Sequence, residues 1–79
     1  MGDTASTMEK SVRLRSVRFE RLRAGRQYLV DMEFTTENNA RFHATVNKEV
    51  EDNMRGFLAR FGSFETIPNG GTMWHPRGA

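Results

Sequence analysis

The stretch Gln27-Tyr28-Leu29-Val30-Asp31-Met32-Glu33-Phe34-Thr35 decides the fold. Its period is two: Tyr28, Val30, Met32 and Phe34 face one way, while Gln27, Leu29, Asp31, Glu33 and Thr35 face the other, the pattern of a strand with one face on a core. A second run repeats it downstream, with Phe42, Ala44 and Val46 set against Arg41, His43 and Thr45. Upstream, Val12 and Leu14 share one side, and then Val17 and Phe19, with a change of parity between Arg15 and Val17. One extra residue near Arg15 and Ser16, a β-bulge, accounts for that change, whereas a helix would scatter the same apolar residues round its axis.

Hairpin arithmetic joins the three strands, because a register must bring apolar faces opposite each other or turn every side chain the wrong way. A two-residue turn at Ala24 and Gly25 pairs Arg21 with Tyr28, Phe19 with Val30 and Val17 with Met32. It also sets Arg18 opposite Asp31 and brings Arg15 near Glu33, opposite charges that favour the pairing. A three-residue loop of Glu37, Asn38 and Asn39, with an Asn in the left-handed region, pairs Phe34 with Phe42, Met32 with Ala44 and Glu33 with His43.

Asn47 then offers a helix N-cap, and Glu49, Glu51 and Asp52 fall in the first turns, where the helix dipole favours negative charge. Val50, Met54, Phe57, Leu58 and Phe61 form the stripe of an amphipathic helix, and Gly62 is placed to end it as a left-handed cap. Gly56, in the helix interior, costs about 1 kcal/mol relative to Ala. It is either tolerated or present to let a neighbour approach. Ser63 to Ile67 is a candidate for a short fourth strand before Pro68.

The expectation is therefore a single α+β domain over residues 11–68. It is a three-stranded antiparallel β-meander, with the short fourth strand as an addition, carrying one amphipathic α-helix on its apolar face in the order βββα(β). Phe19, Val30, Met32, Phe34, Phe42, Phe57, Leu58 and Phe61 are expected to be buried together. Residues 1–10 read as a disordered N-terminal tail without apolar period, and residues 69–79 as a turn and C-terminal tail. Trp74, outside any periodic segment, either folds back to cap the core or stands out as an anchor for a partner.

Composition bounds the function. With 79 residues, 37% of them apolar and 28% charged, the chain has room for one small core and no deep pocket. It holds no cysteine, hence neither a disulfide framework nor a thiolate metal site, which fits a reducing, cytoplasmic setting. No uninterrupted apolar run exceeds three residues and the first eleven residues lack an apolar centre, so neither a membrane span nor a signal peptide is expected.

The net charge of +2 conceals an uneven distribution. From Lys10 to Arg26 the chain carries Lys10, Arg13, Arg15, Arg18, Arg21, Arg23 and Arg26 against Glu20 alone, a local balance of +6. Arginine favours planar, bidentate contact with carboxylate or phosphate. Arg13, Arg15 and Arg18 are expected on the polar sheet face, with Arg21, Arg23 and Arg26 near the first turn. Asp31 and Glu33 among them would repel phosphate, and the sheet face offers Leu29 and His43 but no aromatic ring for stacking bases.

Catalysis lacks its parts. His43 and His75 have no converging ligand set beyond Glu33, so no metal site is expected. His43 and Thr45 share an open, wet face unsuited to nucleophilic chemistry. Gly70 and Gly71 lack the strand and helix that a phosphate-binding loop requires. The sequence points to a non-enzymatic, cofactor-free protein-binding module. Its size and composition fit a small inhibitor or adaptor, inhibitors that phages direct against host machinery included. The candidate partner-binding residues are Arg13, Arg15, Arg18, Arg21, Arg23, Arg26, Arg41, His43 and Trp74, together with a strand edge. A nucleic-acid-binding domain using the same arginines is the alternative, and exposed sheet edges on a small core allow a homodimer, formed by edge pairing or by packing of the polar faces.

Overall fold

The structure, a computed structural model, describes residues 13–68 and 70–78, the side chain of Ala24 excepted. The N-terminal tail over residues 1–10, and Ser11 and Val12 of the first strand, lie outside the described residues.

Three strands follow one another as the alternation requires: β1 (Leu14–Ala24), β2 (Gln27–Thr36) and β3 (Arg41–Asn47). The helix α1 (Lys48–Leu58) comes next, and then two more strands, β4 (Gly62–Thr66) and β5 (Thr72–Pro76). All neighbours are antiparallel, and the sheet order is β3-β2-β1-β5-β4. The fold is thus α+β with the order βββαββ, and the expected βββα(β) meander was short by a strand. Residues 72–76, read from sequence as turn and tail, pair with the open side of β1 through Val17–Trp74, Arg18–Met73 and Phe19–Thr72. Five residues mixing Thr, Met, Trp, His and Pro are too few and too irregular to show a period of two.

The second hairpin has the expected register, with Phe34 opposite Phe42 and Met32 opposite Ala44, and Asn39 takes the left-handed backbone at φ 70°. The first hairpin keeps its expected faces but slides by two residues. Ala24 pairs with Gln27, Phe19 with Met32 and Val17 with Phe34, so Gly25 and Arg26 form the turn. Gly25 has φ +61°. A turn with positive φ at its first central position needs Gly there, and the expected register would have put the Cβ of Ala24 in that place. The bulge lies where parity demanded it, between Leu14 and Ser16.

Asn47 caps α1: the Val50 amide donates to its Oδ1 at 2.9 Å, and Glu49 and Glu51 occupy the first turn. The other end differs from expectation. The helix closes at Ala59 in ordinary right-handed conformation, and Gly62 is the first residue of β4. There a Cβ would lie 2.0 Å from the His75 carbonyl oxygen and 2.6 Å from Trp74 Nε1. Gly62 is required for close approach to Trp74, not for a helix cap.

The buried core comprises Val17, Phe19, Val30, Met32, Leu58 and Trp74, with Leu14, Tyr28, Phe34, Val46, Met54 and Phe64 packed round it. Trp74 is therefore a core residue, and its indole N–H donates to the Leu58 carbonyl at 2.8 Å. Three residues expected in the core are outside it: Phe42 is 58% exposed, Phe57 55% and Phe61 51%. The helix rests on the sheet through Glu51 and Leu58, two turns apart on one line. Val50 and Phe57 each precede one of these by a single residue, which places them about 100° round the axis, on a flank.

Two stability tests follow from this packing. Leu58→Ala should cost about 2–5 kcal/mol, as truncation of a buried Leu does, and Phe57→Ala no more than about 1 kcal/mol; thermal melts of the two variants compare them directly. Gly56 has no atom within 4 Å of an added Cβ. Gly56→Ala should therefore stabilise by about 1 kcal/mol, a rise of about 4–8 °C in Tm, while Gly62→Ala should abolish the cooperative melt.

Candidate functional site

Strand alternation sorts the charged residues into distinct surfaces. On the face away from the helix, β1 presents Arg18 and Glu20, β2 presents Asp31 and Glu33, β3 presents Arg41, His43 and Thr45, and β4 presents Glu65. Carboxylates outnumber guanidiniums on that face. Arg18 is held by Glu33 at 3.1 Å and Glu20 at 3.2 Å, a consequence of the two-residue slide that set it opposite Glu33 in place of Asp31. His43 bridges two acids, with Nδ1 3.1 Å from Asp31 Oδ2 and Nε2 3.4 Å from Glu33 Oε2. Arg18 and His43 are thus paired within the face, and Arg13 and Arg15 do not form a row with Arg18. Arg15 falls in the bulge, and Arg13 lies beside Leu14 at the helix side, where a groove opens.

Arg21, Arg23 and Arg26 gather at the tip of the β1–β2 hairpin. The tip runs past β5, which pairs with β1 only over Val17–Phe19. Arg21 and Arg23 project on the helix side, opposite Val30 and Tyr28. The Arg21 guanidinium lies 3.7 Å from the centre of the Tyr28 ring, a cation–π contact that occupies that ring face. Among the described residues, no carboxylate lies within 4 Å of these three guanidiniums. Lys48, 5.4 Å from the centre of the Tyr28 ring, is paired with Asp52 at 3.1 Å. That hydrogen bond and the Asp52 charge hold its pKa above the usual lysine value.

Under the helix, Glu51 is almost fully buried and accepts from Tyr28 Oη at 2.9 Å and from Arg55 Nε at 3.0 Å. The Arg55 guanidinium in turn lies over Phe19 and Phe64, 4.6 and 5.6 Å from their ring centres. Every partner in this network is a neighbour in the fold, and no buried side-chain nitrogen or oxygen among the described residues lacks one. The network locks α1 to β1, β2 and β4. Among the described residues no group of three His, Asp or Glu side chains converges on a metal-sized space, and no helix is long and apolar enough to cross a membrane.

The remaining surface is apolar and was not singled out as a site from sequence. Among the described residues, Phe42, Val50, Phe57 and Phe61 are the large hydrophobic side chains left exposed, and the Phe57 and Phe61 rings touch at 5.1 Å between centres. Phe57 and Phe61 also border a groove of about 620 Å³ whose floor is Leu14, Leu58 and Trp74 and whose rim includes Arg13, Glu37 and Arg77. Arg55 reaches toward β1 and β4, so the flank with Val50 and Phe57 faces the opposite way, toward β2 and β3. Beside it runs the outer edge of β3, which has a neighbour on one side only. The Thr36 amide donates to the Ala40 carbonyl at 2.9 Å, which fixes the phase of the ladder: Phe42, Ala44 and Val46 bond inward to β2, and Arg41, His43, Thr45 and Asn47 direct their amides and carbonyls outward. The signal available in the sequence was the position of Phe42 on the last strand of a meander, hence at an edge.

No protein-family model, curated protein or solved structure matches this chain.

Proposed function

We propose that this chain is a non-catalytic protein-binding module, a small inhibitor or adaptor acting in the cytoplasm, and that it engages protein through the free edge of β3 and the apolar flank of α1 beside it. The observation that carries the reading is the exposure of Phe42, 58%, on a strand with one free side, together with that of Val50 and Phe57, 41% and 55%, on the flank of α1 turned away from Arg55. Clustered apolar side chains on a small domain mark interaction surfaces. A free edge supplies main-chain hydrogen bonds to an added strand, while neighbouring side chains choose which strand. The polar face has less to offer, because Glu20 and Glu33 engage Arg18 and leave Arg41 as its one other guanidinium among the described residues. Trp74 is buried and has no surface to give.

A second reading, nucleic-acid binding, draws on the hairpin tip, where Arg21, Arg23 and Arg26 lie clear of carboxylates. Three guanidiniums without an open aromatic platform make a weak strand binder, since the Tyr28 ring is already covered by Arg21.

Capture from the source cell, with and without nuclease and at two salt concentrations, separates the readings. Protein recovered in the presence of nuclease, lost in Phe57→Lys and retained when Arg21, Arg23 and Arg26 are all changed to Gln, is the expected result. Nuclease-sensitive recovery that falls steeply with salt and disappears in the triple-Gln variant would overturn it in favour of nucleic acid.

A further inference from the structure

We propose that the strand bound at the β3 edge is β3 of a second copy, paired antiparallel about a two-fold axis through Ala44. The inference rests on the protein-binding reading of this edge and names its occupant.

The edge is unusually open to pairing. Natural sheets blunt free edges with proline, bulges, inward charges or very short strands. The opposite edge, β4, is five residues long with Glu65 near its end and is followed by Pro68. In contrast, β3 has seven residues, no proline and no bulge, and its outward amides and carbonyls belong to Arg41, His43, Thr45 and Asn47. Pairing about Ala44 uses all of them: Arg41 exchanges hydrogen bonds with Asn47 of the other copy, and His43 with Thr45. Slipping the register to centre on His43 or on Thr45 leaves one end of each strand without a partner and sets His43 against His43 or Thr45 against Thr45.

Side chains agree with the same register on both faces. On the polar face no like charges meet, because Arg41 faces Asn47 and His43 faces Thr45. On the helix face Phe42 meets Val46 across the junction and Ala44 meets Ala44, with Phe42 otherwise 58% exposed. Above the junction, each copy contributes the flank of α1 that carries Val50, Asn53, Met54 and Phe57, which has no charge, whereas Lys48, Asp52 and Arg55 lie on the other flank. Depletion of charge with enrichment of Phe and Met is the composition of an interface centre. A surface that satisfies itself under a two-fold axis fits a second copy better than an unrelated strand, which would have to match main chain, Phe42 and a neutral helix flank together.

The register makes a sharp test, helped by a chain without cysteine. Sedimentation equilibrium of the whole protein should show a concentration-dependent dimer. In Ala44→Cys the paired Cα atoms come to about 4.5 Å, within disulfide reach, so mild oxidation should link two chains. In Phe42→Cys the two positions stand about 13 Å apart along the strands, and no link should form. Thr45→Pro removes an outward amide that β2 does not use, and should leave a folded monomer. Should that variant unfold, Val50→Lys, on the exposed flank, should weaken the dimer at unchanged secondary structure. A monomer at every concentration, or linkage through Phe42→Cys in place of Ala44→Cys, would overturn the proposal. If the protein is monomeric and Phe57→Lys still abolishes nuclease-resistant capture, the second copy falls while the protein-binding reading stands; if Phe57→Lys has no effect either, both fall.

Discussion

The hydrogen bond from the Trp74 indole to the Leu58 carbonyl, made under the bare backbone of Gly62, is the contact on which the rest of this fold depends. The chain completes three strands and is then left at one edge of its sheet, with the open side of β1 two strands away. A single helix must carry it across, and the hairpin of β4 and β5 must then find the correct register on β1. Trp74 couples these requirements. Its ring fills the core beside Val17, its buried N–H finds an acceptor in the Leu58 carbonyl, which also takes the Phe61 amide, and it packs where only a glycine fits. Helix end, core and closing strand therefore form together.

Its counterpart lies at the start of the helix, where Glu51 takes hydrogen bonds from Tyr28 and Arg55. A buried carboxylate is costly unless it is paired and hydrogen-bonded, and this one is both. The consequence is directional. A helix seated through Glu51 and Leu58 is rotated relative to one seated through its apolar stripe, and the rotation brings Arg55 onto the Phe19 and Phe64 rings while turning Val50 and Phe57 outward. The polar network thus decides which hydrophobic residues become surface.

Sequence reasoning succeeded where a signal was periodic or stereochemical. The faces of β1, β2 and β3, the bulge near Arg15, the left-handed Asn39 and the Asn47 cap were all legible. It failed where the deciding interaction was tertiary. The first hairpin register hinged on which residue takes a positive φ, and Gly25 occurs in both candidate turns, so parity alone could not separate registers two residues apart. Strand β5 has no pattern of its own and exists because β1 has an open side. Phe57 and Phe61 looked like core because an amphipathic stripe shows which residues are apolar, not which line of them touches the sheet. The apolar surface was hidden for the same reason, since a burial expected of Phe42, Phe57 and Phe61 removed them from consideration as a site.

Geometry ties that surface to the architecture itself. One eleven-residue helix lies across a twisted five-stranded sheet and is bound at its two ends to Tyr28 and Trp74, so its path runs diagonally from the β2 side toward β5. Whatever the diagonal covers on the β4 side it uncovers on the β3 side. Phe64 is accordingly half-buried beneath Arg55, whereas Phe42, at the other end of the sheet on the same face, is open. Moving the helix over Phe42 would withdraw it from Trp74, uncover Leu58 and leave the buried indole N–H without a partner, a combined loss that burial of one aromatic ring does not offset. The exposed edge of β3 is therefore a product of the same contacts that close the fold.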